Sequence, residues 1–229
     1  MKVFFTLFLL AHLIGDFVLQ SNRIALLKSK GIKGIGVHVA IVISIQCLIL
    51  GGVFGLRGLL PAILVGLIHF VIDYVKFVVA KRMYKFQTAY FLFDQGLHVA
   101  SIYFVSRWLV VEGMLFEIKS FWVVYAIGLI ISYYVTTIIV KYVLKDIQMI
   151  EGDGPFFLEH ERQMDGITSL CLFVGFGIST MVALGIMAIG GIIYYYLQKN
   201  QFNYNRQQIS IKYLVILIVT YSASLISII

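Results

Sequence analysis

The chain is crowded with apolar stretches long enough to cross a lipid bilayer, and these limit its fold more than any other feature. A membrane helix takes about 20 mostly apolar residues. Stretches near residues 3–20, 34–54, 58–80, 88–110, 120–144, 166–190 and 210–229 meet or approach that length. Charged residues make up 13% of the 229 and hydrophobic ones 61%, where soluble domains carry about 25% charge. Runs such as residues 62–70 do not alternate as barrel strands do. The expectation is an all-α, polytopic transmembrane bundle of about seven membrane helices, the first short enough to be re-entrant or tilted. That first stretch lacks a small-residue cleavage pattern and contains His12 and Asp16, so a signal peptide is not expected.

The net charge of +7 does not imply a nucleic-acid partner, because the basic residues sit at helix ends, where they orient a membrane protein and meet anionic headgroups. With seven spans, one side of the membrane holds eleven Lys and Arg and the other seven, the latter including Lys199, Arg206 and Lys212. This favours a multi-pass protein of the cell membrane with its N-terminus outside and C-terminus inside. Cys47 and Cys171 stand alone in separate apolar stretches, without metal-ligand spacing, and read as small packing residues.

The chemistry concentrates in residues 1–110, expected to form a four-helix core, with residues 111–229 as accessory helices around an acidic loop at 145–165. The first 110 residues hold only three carboxylates, and each stands four residues from a histidine: His12/Asp16, His69/Asp73 and Asp94/His98. Residues four apart share a helix face. With four histidines in 110 residues, chance gives one Asp such a neighbour about 15% of the time, and all three about three times in a thousand. His38 is the fourth histidine. At 1.5 Å per residue all seven groups fall roughly 6–17 Å from the same membrane face.

Ionisable groups inside membrane helices are costly and face the bundle interior. Three readings are open for this cluster. It is a metal site, for which imidazole and carboxylate suit zinc, manganese or iron; or a proton or ion path; or a structural set of hydrogen-bonded pairs. Lys76, three residues after Asp73, either holds a substrate phosphate, pairs with a carboxylate or snorkels to the interface. Gln95 adjoins Asp94, and Gln20 and Asn22 read as helix-capping residues. Lys81 and Arg82 read as topology determinants. Glu151, Asp153, Glu159, His160, Glu161 and Asp165 form either a solvated loop or a lid that adds a ligand. Tyr194–Tyr196 reads as an interfacial aromatic belt. No GxxxxGK[ST], GxSxG or HExxH motif occurs.

The elements His12-Leu13-Ile14-Gly15-Asp16 through Gln20, then His38, His69-Phe70-Val71-Ile72-Asp73 with Lys76, and Phe93-Asp94-Gln95-Gly96-Leu97-His98 resemble an uncharacterised bacterial membrane family of unknown function, DUF3307. The resemblance covers roughly residues 1–105 and carries no established activity. The His-x-x-x-Asp elements, His69/Asp73 above all, are also similar to those of membrane-bound metal-dependent hydrolases, although the Asp-x-Asp-His element of that group is absent.

The leading expectation is therefore an intramembrane divalent-metal-dependent hydrolase acting on a lipid or lipid-linked phosphate at the cytoplasmic leaflet. Its metal, zinc or manganese first, is held by His12, Asp16, His69, Asp73, Asp94 and His98. His38 serves as a further ligand or general base, Lys76 and Gln95 orient the substrate, and the nucleophile is a water whose pKa the metal lowers towards about 7. The alternatives are a transporter or channel for protons or divalent cations using the same cluster, and a non-catalytic scaffold with a structural polar core. Against transport, the far halves of the first four helices show no polar residues to continue a path, and no inverted repeat is evident. Membrane lipids are the expected partners.

Overall fold

The computed structural model describes residues 2–80, 86–108, 120–147 and 159–228. The described chain is helical throughout: α1 Lys2–Leu13, α2 Asn22–Lys30, α3 Ile32–Phe54, α4 Leu56–Ala80, α5 Gln87–Trp108, α6 Ser120–Ile130, α7 Thr136–Asp146, α8 Glu159–Ile178, α9 Thr180–Phe202 and α10 Arg206–Ile228. Two π-helical turns, Ile14–Val18 and Ile131–Val135, follow α1 and join α6 to α7.

Among the described residues, five helices are long and apolar enough to cross a membrane: Ile32–Phe54, Leu56–Val79, Phe121–Asp146, Thr180–Phe202 and Arg206–Ile226. A sixth span is formed if Val3–Val18 and Asn22–Lys30, which meet at a bend of 89°, are counted as one. Seven apolar spans are thus not reached, and the polar residues explain why. α5 carries Asp94, Gln95, His98 and Arg107, and α8 carries Glu161, Arg162 and Asp165. The stretch expected as one helix over 166–190 is two helices. Ser179 breaks it with an extended backbone (φ −169°, ψ 157°) and its side chain accepts from Val182 N, capping α9. Tyr194–Tyr196 consequently lies inside α9, with Tyr194 buried, and does not form a belt at a helix end.

The chain divides into two compact units, Met1–Ile127 and Gly128–Ile229. In unit 1, α1 packs on α3 and α5, α4 packs on the same two helices, and α2 folds back onto α3. The α2–α3 reversal passes through Gly31 at φ 144°, and the α3–α4 turn through Gly55 at φ 62°, backbone values that glycine adopts without steric cost. Close α3–α4 contact depends on Gly66, where a Cβ would overlap the Ile43 side chain. The outward face of α4 shows Leu60, Leu67, Val71, Val75 and Val78, an apolar surface of the kind that faces lipid.

Unit 2 is built from the remainder of α6 with α7, α8, α9 and α10. Its core joins Val140, Leu144, Leu172, Tyr194, Ile209 and Ile216. The acidic stretch at 159–165 is the start of α8 and not a loop. Glu151 and Asp153, expected in the acidic loop, and the basic Lys81, Arg82 and Lys85 lie outside the described residues.

Gly66→Val should lower unfolding stability in detergent by about 1–3 kcal/mol through overpacking against Ile43. Gly36→Val, at a site where an added Cβ would meet no atom within 4 Å, should leave the unfolding stability within about 0.5 kcal/mol of the parent.

Candidate metal centre

Each ligand-type residue occupies the buried stripe of its helix, at a position where the neighbouring turns carry aliphatic side chains. On α3 the stripe runs Ile35, His38, Val42, Gln46, Leu50. On α4 it includes Ala62, Val65, His69 and Asp73, and on α5 Phe91, Asp94, His98, Ile102 and Val105. The three-and-four spacing that builds an apolar core thereby delivers imidazoles and carboxylates to the same interior.

α1 contributes His12 from its last turn. Asp16 follows in a π-helical turn, closed by Leu19 N donating to Ile14 O at 2.9 Å. Such turns are frequent at functional sites because the extra residue re-aims a side chain within a continuing helix. Gly15 beside it sits against Val42 of α3, where a Cβ would meet Val42 Cγ2 at 3.0 Å. That close approach brings Asp16 to His38, one turn earlier on α3. All seven groups are at most 5% exposed.

Four of their atoms, Asp16 Oδ1, His38 Nε2, His69 Nε2 and Asp73 Oδ2, converge. His38 Nε2 lies 3.0 Å from Asp16 Oδ1 and 3.2 Å from His69 Nε2. His69 Nε2 lies 3.3 Å from Asp16 Oδ1 and 3.3 Å from Asp73 Oδ2, and His38 Nε2 is 3.6 Å from Asp73 Oδ2. His38, His69 and Asp73 present ligand atoms that all lie within 4.8 Å of one another, a set able to hold a metal ion. Each Nε2 carries at most one proton, so the two imidazoles cannot donate to every one of the four contacts at 3.0–3.3 Å.

A second group adjoins the first through Asp73. Asp73, Asp94 and His98 also present atoms within 4.8 Å of one another, as do His12, Asp16 and His69. His98 Nε2 stands 3.7 Å from Asp94 Oδ1 and 3.8 Å from Asp73 Oδ1, and His12 Nε2 3.7 Å from Asp16 Oδ2, all too long for hydrogen bonds. The His69 and His98 rings stack with centroids 4.1 Å apart.

The carboxylates are also met by lysines. Lys76 pairs with Asp94, the second of its sequence-derived roles, and Gln95 Nε2 donates to the same Asp94 oxygen at 3.2 Å. Lys28 Nζ reaches Asp73 Oδ2 at 2.7 Å. Sequence reasoning missed Lys28, which had read as one of several topology-setting basic residues. The signal available was the polar, amphipathic segment after the α1 bend. The α2 cap is Ser21, accepting from Ile24 N, between the two residues expected to cap. Polar residues do continue beyond the cluster, contrary to expectation. Gln46 on α3 and Ser106 on α5, each eight residues past its helix's histidine, are buried and find no hydrogen-bond partner among the described residues.

Fold and cluster together define a multi-pass, all-α membrane protein whose N-terminal unit buries His/Asp groups able to coordinate a metal ion. The chain belongs to the family described as "Protein of unknown function (DUF3307)", whose profile matches residues 4–125. All seven ligand-type residues fall within that match. No curated protein and no solved structure shows a significant similarity to the chain.

Asp73→Ala removes the ion-pair partner of Lys28 and a carboxylate shared by His69 and His98, and should cost about 3–5 kcal/mol. Adding Lys28→Met should restore a substantial part of that loss, which thermal unfolding of both variants in detergent will show.

Proposed function

We propose that unit 1 is a metal-stabilised membrane scaffold, in which one divalent ion held by Asp16, His38, His69 and Asp73 ties α1, α3 and α4 together. The observation that carries this reading is the pair of imidazoles, His38 and His69, each within 3.6 Å of both Asp16 and Asp73. Structural zinc sites are closed by four protein ligands, whereas catalytic ones keep a position open. Here four buried side chains would supply the shell, each at most 5% exposed. Zinc suits this donor set best, with manganese and iron next. When bound, the ion supplies cross-linking of helices and relief of buried polar atoms. The side chains of residues 1–110 do the rest, and residues 111–229 act as accessory helices.

A second reading, hydrolysis of a lipid or lipid-linked phosphate, draws support from the adjoining Asp73–Asp94–His98 group. It offers three ligands and so leaves room for a substrate oxygen. Lys76, its side chain 29% exposed, gives this group a way to the surface. There Lys76 and Gln95 would hold phosphate oxygens, with His12 next to His98 (ring centroids 5.1 Å apart) placed to move a proton.

The break at Ser179 also alters the orientation argument. If the bent pair, α5 and α8 all cross the membrane, Lys199, Arg206 and Lys212 move to the more basic side, which then holds fourteen Lys and Arg against four. That places the N-terminus and the C-terminus both outside and brings the His/Asp cluster near the cytoplasmic leaflet.

Full-length protein purified in mild detergent should hold about one equivalent of divalent metal by elemental mass spectrometry, and a chelator should lower its melting temperature. Asp16→Asn/His38→Ala should lose both the metal and the chelator effect. A parent that takes up no zinc, manganese or iron would sink both readings. Metal-dependent phosphate release from lipid phosphates, lost in His98→Ala while the metal of the closed group is retained, would favour the hydrolase over the scaffold.

A further inference from the structure

Unit 2 contains a second buried ionic cluster with no histidine or metal-type geometry. Lys212 of α10 is fully buried. Its Nζ lies 2.7 Å from Glu161 Oε1 and 3.2 Å from Asp165 Oδ2, both on α8, and donates to Gln198 Oε1 of α9 at 3.1 Å. Asp165 Oδ1 accepts from Tyr194 OH at 2.7 Å and from Gln198 Nε2 at 2.9 Å. Glu161 Oε1 also accepts from Tyr204 OH at 2.7 Å, and the Tyr204 ring covers the ammonium at 4.5 Å from its centroid. Lys141 of α7 also lies within the field of Glu161. Arg162 instead lies over the Tyr134 ring.

The charges in this cluster do not balance. Two carboxylates and one ammonium give this hydrogen-bonded set a net charge of −1. A single proton on either carboxyl makes the set neutral, because the ammonium then pairs with the other. Like charges sharing a site cannot both ionise without penalty, and low-dielectric surroundings enlarge that penalty. Tyr204, in the turn between α9 and α10, does not supply this proton. Burial and its hydrogen bond to Glu161 push its phenol up, so it remains a donor.

The two carboxyls are unequally placed. The Glu161 side chain is 20% exposed and that of Asp165 4%, so one faces the surroundings and the other the interior. Four residues further along α8, Ser169 hydrogen-bonds Thr220 of α10 and approaches Thr136 at 3.4 Å. Ser132, in the π-helical turn Ile131–Val135, is fully buried and its hydroxyl has no partner among the described residues. Polar groups thus extend inward beyond Asp165.

We infer that unit 2 is a proton-exchange site, in which Glu161 and Asp165 share one proton across the Lys212 ammonium and take it up at the Glu161 end. The proton comes from water and returns to it, no bond to carbon changes, and the set alternates between a net charge of −1 and zero.

The test is a pH titration of full-length protein in detergent, followed by infrared spectroscopy in the protonated-carboxyl region. A parent carboxyl band that titrates as one proton is expected. Glu161→Gln and Asp165→Asn should each abolish it, since one carboxylate and one ammonium already balance. Lys212→Met should strengthen it at a given pH. Absence of a band in the parent, or its survival in either single variant, overturns the proposal. Glu161→Gln changes the more exposed carboxyl and keeps the test available should Asp165→Asn fail to fold. Because the buried carboxylates of unit 1 absorb in the same region, the band is assigned to this cluster by its loss in the Glu161 and Asp165 variants.

Discussion

A helix bundle whose outer face is apolar must place its ionisable groups inside and satisfy them there, and unit 1 is organised around that requirement. Three carboxylates and two lysines leave one negative charge in the His/Asp cluster before any imidazole is protonated. The devices that set the helices answer this need. A π turn brings Asp16 inward, Gly15 lets α1 approach α3, and the 89° bend after α1 returns Lys28 to Asp73. Removing one member leaves another charge without its partner in a medium that solvates neither, so the cluster acts as a unit. A bound divalent ion would replace the lysines' role at the carboxylates. Lys28 and Lys76, the partly exposed members, are the groups free to withdraw.

The helices and the site residues of unit 1 were legible because both rest on the same period. His12/Asp16, His69/Asp73 and Asp94/His98 each share a face by spacing alone, and equal depth followed from the order of apolar runs. What escaped were features that depend on which helices touch. Lys28 lies 45 positions from Asp73, and no local pattern links a basic residue on an interfacial segment to one carboxylate among three. The break at Ser179 hid inside a continuous apolar run, although a serine that caps a helix was there to be read. The start of α8 was taken for a loop because Glu159, Glu161 and Asp165 are acidic, yet acidic residues are favoured in the first turn of a helix. With that helix came Asp165, and with Asp165 the cluster around Lys212.

The two units solve the burial problem with different chemistry. Unit 1 gathers imidazole nitrogens and carboxylate oxygens at separations that suit a metal ion. Unit 2 surrounds an ammonium with carboxylates, an amide and phenols, in which every donor of Lys212 has an acceptor. Each unit also has a π-helical turn at its polar core, carrying Asp16 in one and Ser132 in the other. In both places a polar group is introduced into an otherwise apolar helix by a local change of register.

The family match ends at residue 125, two positions before the boundary between the units. The part of the chain that the family defines is therefore the part that holds the His/Asp cluster, with its ligands drawn from α1, α3, α4 and α5. Within that part, chemistry and cohesion pull in opposite directions. A shell closed by four side chains holds helices together but leaves a substrate nowhere to bind. The adjoining Asp73–Asp94–His98 group has the open position but carries Lys76 on one of its carboxylates. Asp73 belongs to both groups. Any activity in this unit would thus be built on the same residue that secures its packing, and a gain in openness at Asp94 would be felt at His69 through one shared carboxylate.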